Sequence, residues 1–160
     1  MIVLVGFMGA GKTTVGRKLA HRLGLPFVDS DEVVTERAGR PIRDIFAEDG
    51  EAAFRALERQ TVLEILSGLD AVVALGGGAV EDPRTREALH GKDVVYLQVD
   101  LETALARVGE DAERPVLRDP QLEARYRARV PLYEDVATVV VPTRGRSAGA
   151  AVREILERLS

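Results

Sequence analysis

Residues 6–13, GFMGAGKT, have the residue types and the spacing of a phosphate-binding loop. They match the pattern GxxxxGK followed by Ser or Thr, and they stand between an apolar run and a helical pattern. The glycines allow successive backbone N–H groups to converge on phosphate oxygens at the positive end of the following helix. Lys12 would reach the β- and γ-phosphates and the Thr13 hydroxyl would bind Mg²⁺, so the loop predicts a nucleoside triphosphate site. The residues expected to contact the nucleotide here are Gly9, Ala10, Gly11, Lys12, Thr13 and Thr14.

A magnesium–triphosphate site also needs an acid at the end of another strand, and two positions compete for that role. Asp100 ends the apolar run VVYLQVD, but it directly precedes a helical pattern, and we favour an N-cap there. Asp29 ends the run FVD, and Asp31 follows two residues later. Parallel strands end at the edge where open α/β sheets bind ligands, so both acids are candidates for chemistry. A helix cap within DSDE would account for Asp29 or Ser30 and leave the other acid unexplained.

Two arginines could hold a second substrate. Arg55 lies in a long helical pattern and Arg129 in another, but most helical arginines are solvated surface residues. A kinase needs an acceptor hydroxyl, which an acid such as Asp31 can orient and deprotonate. If the arginines face the same site, the acceptor is an anion, because guanidinium groups bind carboxylate and phosphate in a bidentate way.

The stretch ALGGGAV places three glycines directly behind an apolar run. Neither a lysine nor a Ser or Thr follows them, so they do not form a second triphosphate loop. Bare backbone at the end of a strand lets another group approach closely. Gly76, Gly77 and Gly78 therefore predict a stretch of bare backbone that a ligand or another segment can approach.

Short apolar runs alternate with helical patterns along the chain. Runs without polar alternation predict buried strands at residues 2–5, 71–75, 94–99 and 138–141, and a weaker one at 26–29. Helical patterns cover residues 12–23, 31–38, 42–48, 51–67, 83–89, 101–108, 121–133 and 148–159. This alternation predicts the α/β class with a parallel sheet. Residues 109–119, GEDAERPVLRD, resist a regular assignment and predict a mobile lid.

Composition limits the possible functions. The chain has 160 residues, which favours a single domain spanning residues 1–160. It has 26 acidic and 22 basic residues, which argues against a nucleic-acid partner. The absence of cysteine excludes disulfides and thiolate chemistry, and two histidines are too few for an ordinary histidine metal site. The apolar start is too short to span a membrane, so we expect a cytoplasmic protein without a membrane partner.

Six segments, in this order and at these separations, resemble the shikimate kinase family. They are GFMGAGKTT, DSDE, GRPIRDIFAEDGEAAFRALE, LGGGAV, ERPVL and RVPLYEDVA. The phosphate loop alone is shared by a vast superfamily, but the combination is specific and covers essentially the whole chain. The resemblance implies a three-layer α/β/α P-loop kinase fold with a five-stranded parallel sheet and a mobile lid. It also implies phosphorylation of the 3-hydroxyl of shikimate with ATP and Mg²⁺, by a monomer.

The resemblance also implies roles for individual residues. Asp31 would bind the ring hydroxyls and act as base, with Lys12 and the lid residue Arg114 as the other catalytic groups. Asp29 would contact the magnesium through water. The shikimate-binding segment would be residues 31–60, and the ligands of the acceptor would be Asp31, Arg55, Gly76, Gly77, Gly78 and Arg129. Phe46 and Phe54 resemble apolar walls of that pocket, or they simply pack in the core.

Adenine contacts are implied for Arg107 and Arg146. Arg146 lies in TRGRSAG, which departs from the loop with asparagine and proline found in many members of the family. Rival functions are another P-loop kinase, acting on gluconate or a nucleoside phosphate, and a module that binds ATP without catalysis. The latter is disfavoured because a degenerate site should lose some of Lys12, Thr13, Asp31 and Arg114.

Overall fold

The computed structural model describes residues 1–110 and 120–160 of the chain. Within them, five parallel strands form one sheet in the order β2-β3-β1-β4-β5. The strands are β1 (Ile2–Val5), β2 (Phe27–Asp29), β3 (Val72–Ala74), β4 (Asp93–Gln98) and β5 (Val139–Pro142). The predicted five-stranded parallel sheet is therefore confirmed. Every strand was expected within one or two residues of its observed bounds, because apolar runs buried on both faces are the clearest signal of such a sheet.

Helices cover both faces of the sheet. The α-helices are α1 (Lys12–Leu23), α2 (Ser30–Ala38), α3 (Ile42–Asp49), α4 (Glu51–Leu66), α5 (Pro83–Ala88), α6 (Leu101–Glu110), α7 (Pro120–Val136) and α8 (Ala148–Leu159). The chain moves one way from β1 to β2 and the other way from β2 onwards. Right-handed crossovers then place α1 on one face and the helices of the later crossovers on the other. Helix α8 packs against α1, which completes the three layers.

Three local features differ from the predicted elements. Residues directly after the glycine run form a short 3₁₀ helix, Ala79–Glu81, which has no periodic pattern to reveal it. Helix α6 continues through Glu110, so the first two residues of the predicted lid, 109 and 110, are helical. Helix α7 extends to Val136, past Pro131. Arg114 and the rest of the predicted lid lie outside the described residues.

The core has two parts. The larger cluster joins the sheet to the helices on both faces and includes Val3, Leu97 and Ile155. A smaller cluster of Val34, Ile45 and Phe54 lies among α2, α3 and α4, the helices between β2 and β3. Within residues 1–110 and 120–160, no helix is both long and apolar enough to cross a membrane.

Candidate active site

The phosphate loop connects β1 to α1 in the conformation that its glycines predict. Gly9 has φ 77° and Gly11 has φ 93°, backbone angles that side chains rarely adopt. A Cβ at Gly9 would lie 2.8 Å from the carbonyl oxygen of Ala104, so this position also lacks room. Helix α1 begins after Gly11 without a side-chain cap and without an acid in its first turn. Its first N–H groups are therefore available to an anion at the positive end of the helix.

Lys12 folds back over the loop and binds its backbone. Its Nζ donates to the carbonyl oxygens of Gly6, at 2.7 Å, and Phe7, at 3.1 Å. Burial lowers the pKa of Lys12 to about 8, although the negative charges of Asp31 and Asp29 oppose this shift. The negative charges of Asp31 and Asp29 thus only partly compensate the buried positive charge of Lys12. Triphosphate oxygens would compensate it further.

Thr13, in the first turn of α1, meets Asp29 at the end of β2. The Thr13 hydroxyl donates to Asp29 Oδ2 at 3.0 Å. The other oxygen, Oδ1, accepts from the backbone N–H groups of Asp31 and Glu32, so Asp29 is also the N-cap of α2. A hydroxyl and a carboxylate are the hard oxygen ligands that suit Mg²⁺.

This donor set fits a magnesium ion carried mainly by a nucleotide. Within the described residues, no group of three or more His, Cys, Asp or Glu side chains could hold a metal ion. Magnesium commonly takes one or two protein oxygens, with phosphates and waters as its other ligands. The competing candidate, Asp100, accepts hydrogen bonds from the N–H and the hydroxyl of Thr103, as expected for the N-cap of α6.

Asp31 occupies the first turn of α2 and faces the middle of the site. Burial and the neighbouring negative charge of Asp29 raise its pKa, while the positive charges of Lys12 and Arg55 lower it. The carboxylate lies against the glycine run, since a Cβ built on Gly76 would stand 2.5 Å from its Oδ1. A raised pKa is the usual adjustment of a carboxylate that takes a proton near neutral pH.

The two predicted acceptor arginines converge on the last residue of the glycine run. A Cβ built on Gly78 would lie 2.5 Å from Arg55 Nη1 and 2.7 Å from Arg129 Nη2. Arg55, on α4, donates to Glu58 Oε1 at 2.8 Å. Arg129, on α7, is only 5% exposed. Two guanidinium groups converging on bare backbone form a site for a planar anion.

The glycine run is tied down through its backbone. The N–H of Gly76 donates to the buried Ser30 Oγ at 2.9 Å, and the hydroxyl of Tyr133 donates to the Gly77 carbonyl at 2.6 Å. A Cβ at Gly76 would lie 2.5 Å from Asp31 Oδ1, whereas one at Gly77 would find its nearest atom at 3.5 Å, Arg129 Nη1. Gly76 and Gly78 leave room for the functional side chains themselves, and Gly77 is the position with space in front of it.

A cleft lies beside the phosphate loop, between the start of α1 and the start of α8. It has a volume of about 210 Å³, and its walls include Gly11, Thr14, Arg107 and Arg146. Arg107 donates to the carbonyl oxygens of Gly9 and Thr143, each at 2.9 Å. Arg146 donates to Glu154 at 2.9 Å and to a backbone carbonyl. Both arginines are therefore held on the wall of this cleft, which also contains Gly11 and Thr14 of the phosphate-loop segment.

The two phenylalanines of the predicted pocket wall have different environments. Phe54 is 3% exposed and belongs to the small core cluster, as core packing would require. Phe46 is 37% exposed, and its ring centroid lies 4.8 Å from that of Phe54. Phe54 is thus primarily a core residue, while Phe46 presents an apolar surface.

Four residues at this site were not singled out from the sequence. They are Ser30, Glu58, Glu81 and Tyr133. Glu58 is a buried acid whose pKa is raised by burial, and it holds Arg55. A signal existed for three of them, since Ser30 lies within DSDE, Glu58 within FRALE and Tyr133 within RVPLYED. Glu81 gave no signal, because an exposed glutamate in a short segment is ordinary.

The parallel sheet, the phosphate loop and the cleft of acids and arginines beside it define a P-loop kinase acting on a small molecule. A sequence model described as shikimate kinase matches residues 8–160. The shikimate kinase of Thermobifida fusca is 48% identical over 162 residues, which cover 99% of this chain and 94% of that protein. The shikimate kinase of Mycobacterium tuberculosis is 47% identical over 161 residues, covering 98% and 92%.

A solved structure extends the likeness to three dimensions. The structure of shikimate kinase from Acinetobacter baumannii in complex with shikimate matches with a TM-score of 0.89 at 40% identity, and covers 99% of this chain and 91% of that one. The chain belongs to the shikimate kinase family. The predictions of the family, of the P-loop kinase fold and of an ATP-using enzyme with a small-molecule substrate are confirmed.

Proposed function

We propose that this chain transfers the γ-phosphoryl group of ATP to the 3-hydroxyl of shikimate with Asp31 as the base. The observation that carries the proposal is the position of the Asp31 carboxylate. The positive charges of Lys12, assigned to the phosphates, and of Arg55, assigned to the acceptor, both lower the pKa of Asp31. A hydroxyl held against Asp31 would therefore stand between the anion-binding arginines and the incoming phosphoryl group.

Each part of the acceptor would have its own partner. The carboxylate of shikimate would bind the guanidinium groups of Arg55 and Arg129, and the ring would lie against Gly77. Orientation of this kind supplies much of the catalysis in phosphoryl transfer, because the protein has little covalent chemistry to do. The acceptor hydroxyl would give its proton to Asp31 as the new O–P bond forms and the bond to the β-phosphate oxygen breaks.

Magnesium would be held by the Thr13 hydroxyl, with Asp29 as its second protein partner. When bound, the ion would neutralise charge on the β- and γ-phosphates. Lys12 would leave the carbonyl oxygens of Gly6 and Phe7 and bind the phosphates, and its positive charge would stabilise the transition state. We further propose that Arg114 closes over the phosphates from the 109–119 segment and excludes water.

The remaining proposals concern the protein as a whole. We expect residues 1–160 to work as one domain, with residues 31–60 as the acceptor-binding segment. We also expect a monomer that acts in the cytoplasm without a nucleic-acid or membrane partner. Sedimentation of the purified protein with and without both substrates tests the monomer, and a dimer in either state would contradict it.

Replacing the proposed base tests the mechanism most directly. Asp31→Asn keeps the size of the side chain and removes its basicity, so kcat should fall by about 100-fold or more, with the Kd for ATP changed less than about threefold. Asp135→Asn, an exposed position on α7, is the matched control and should leave both quantities unchanged. Unchanged kcat in Asp31→Asn would remove Asp31 as the base.

The choice of acceptor is tested separately. A coupled assay offers the enzyme ATP with shikimate, gluconate or a nucleoside monophosphate. We expect turnover of shikimate alone. Turnover of either rival acceptor without turnover of shikimate would overturn the proposed substrate, and ATP binding without any turnover would favour a non-catalytic module.

A further inference from the structure

Glu81 reaches across the acceptor side of the site and touches both anion-binding arginines. It ends the 3₁₀ helix that directly follows the glycine run. Its Oε1 lies 3.4 Å from Nε of Arg129, and its Oε2 lies 4.0 Å from Nη2 of Arg55. One carboxylate thus bridges two guanidinium groups, which is the arrangement proposed for the carboxylate of the acceptor.

The two arginines depend on this glutamate to different degrees. Arg55 has two other acidic partners, Glu58 at 2.8 Å and Glu51 at 3.8 Å. For Arg129, Glu81 is the only acidic side chain within 4.0 Å among residues 1–110 and 120–160. The Arg129 side chain is 6% exposed, and a guanidinium buried to that extent is costly without a counter-charge.

Glu81 itself can leave at little cost. Its side chain is 40% exposed, so its charge is already largely hydrated. It also borders a cleft of about 820 Å³ whose lining carries charges of both signs, among them Arg59, Arg84 and Asp82. The displaced carboxylate would therefore turn into a hydrated cleft.

We propose that Glu81 occupies the carboxylate site of the free enzyme as an internal competitor and is displaced by the carboxylate of the acceptor. This inference rests on the proposed assignment of Arg55 and Arg129 to that carboxylate. An acceptor with a carboxylate exchanges one anion for another on the two arginines. A ligand without one leaves Glu81 in place and gains nothing from them. Glu81 therefore lowers the affinity for an acceptor with a carboxylate and leaves the affinity for neutral analogues unchanged.

The test compares two ligands on the wild type and on Glu81→Gln, which keeps the size of the side chain and removes its charge. The ligands are shikimate and an analogue in which a hydroxymethyl group replaces the carboxylate. Glu87→Gln is the matched control, since Glu87 is exposed on the neighbouring helix and forms no ion pair among the described residues. Calorimetry gives the Kd of each ligand, and a coupled assay gives KM and kcat.

We expect Glu81→Gln to bind shikimate about three- to tenfold more tightly, as removal of the two competing ion pairs of a half-exposed carboxylate should allow. The Kd of the hydroxymethyl analogue and that of ATP should change less than twofold, and Glu87→Gln should match the wild type. Equal or weaker binding of shikimate by Glu81→Gln would overturn the inference, because Glu81 would then be holding Arg129 in place for the acceptor. Equal tightening of both ligands would overturn it too, since the effect would not depend on the carboxylate.

A further variant separates this inference from the assignment on which it rests. Arg129→Ala should weaken shikimate binding and leave the hydroxymethyl analogue nearly unaffected. If Arg129→Ala leaves shikimate binding unchanged, the proposed carboxylate site is wrong and the role of Glu81 is wrong with it. If Arg129→Ala weakens binding while Glu81→Gln does not strengthen it, the role of Glu81 alone is wrong.

Discussion

Adding one methyl group at each glycine of the run tests whether the three positions have separate functions. In Gly76→Ala the new Cβ would lie 2.5 Å from Asp31 Oδ1, and in Gly78→Ala it would lie 2.5 Å from Arg55 Nη1. Real Cβ atoms essentially never approach other atoms within 3.0 Å, so in both variants the functional side chain must move. In Gly77→Ala the nearest atom is at 3.5 Å, an ordinary contact.

The expected losses differ in kind as well as in size. Gly76→Ala displaces the proposed base, and a displacement of this order should lower kcat by about 10- to 100-fold. Gly78→Ala displaces the two arginines and should raise KM for shikimate by about tenfold or more with a smaller change in kcat. Gly77→Ala requires no protein atom to move. It should therefore weaken the binding of shikimate only through the contact that the ring loses with the backbone.

Steady-state kinetics in a coupled assay, with ATP and shikimate varied in turn, separate these three outcomes. KM for ATP should change less than about twofold in all three variants. The added methyl groups of Gly76→Ala and Gly78→Ala meet Asp31 and the arginines, and that of Gly77→Ala would lie 3.6 Å from the Gly6 carbonyl oxygen, an ordinary contact that displaces nothing in the phosphate loop. Thermal unfolding is the control. Backbone angles at these positions are not those reserved for glycine, since none of the three has a positive φ. If the three variants lose only stability, or lose kcat and KM in the same proportion, the run is a tight turn without separate functions.

Three further predictions follow from the charges at the site. Thr13→Val and Asp29→Asn should each raise the Mg²⁺ concentration that gives half-maximal activity by about tenfold or more, because each removes an oxygen ligand of the proposed metal site. Thr13→Ser keeps the hydroxyl and should not raise it. An unchanged Mg²⁺ requirement would remove these residues from the metal site. Asp31→Asn should raise Tm by about 2–4 °C at neutral pH. The pKa of Asp31 is raised in the folded state, so its ionised carboxylate destabilises the fold at every pH above its unfolded pKa of 3.8. The gain in Tm should therefore vanish below pH 3.8. Binding of ATP near pH 8 should take up protons, because the pKa of Lys12 is about 8 and bound phosphates would raise it again. Calorimetry in buffers of different ionisation enthalpy measures this uptake. No uptake at pH 8 would contradict the assignment of Lys12 to the phosphates.

Site residues that follow the ends of strands could be predicted from the sequence more directly than site residues that lie within helices. The strand β1 was expected with its observed bounds, Ile2–Val5, and the phosphate loop, the DSDE acids and the glycine run follow strand signals directly. Arg55 and Arg129 carried no such signal, because a helical arginine is normally solvated. Their convergence depends on how α4 and α7 pack, so the residues alone made them candidates and the resemblance to a family gave them a role. The bridging position of Glu81 depends on three elements at once and was not predicted.

The register of the sheet explains why three distant segments meet. Asp29 pairs with Ala74, and Ala74 pairs with Leu4, so β2, β3 and β1 end side by side. The acids, the glycines and the phosphate loop leave the sheet at that common edge, where parallel strands expose their carboxyl ends. The phosphoryl-transfer groups are thereby fixed by backbone hydrogen bonds of the sheet.

The proposed acceptor site is built differently. Arg55 and Arg129 come from helices, and their positions depend on side-chain pairing with Glu58 and Glu81. Changes in these helices can alter which anion is accepted without disturbing the sheet edge that binds ATP. This separation is the physical reason to expect that Arg55 and Arg129 variants alter the affinity for the acceptor, whereas Lys12 and Thr13 variants alter the use of ATP.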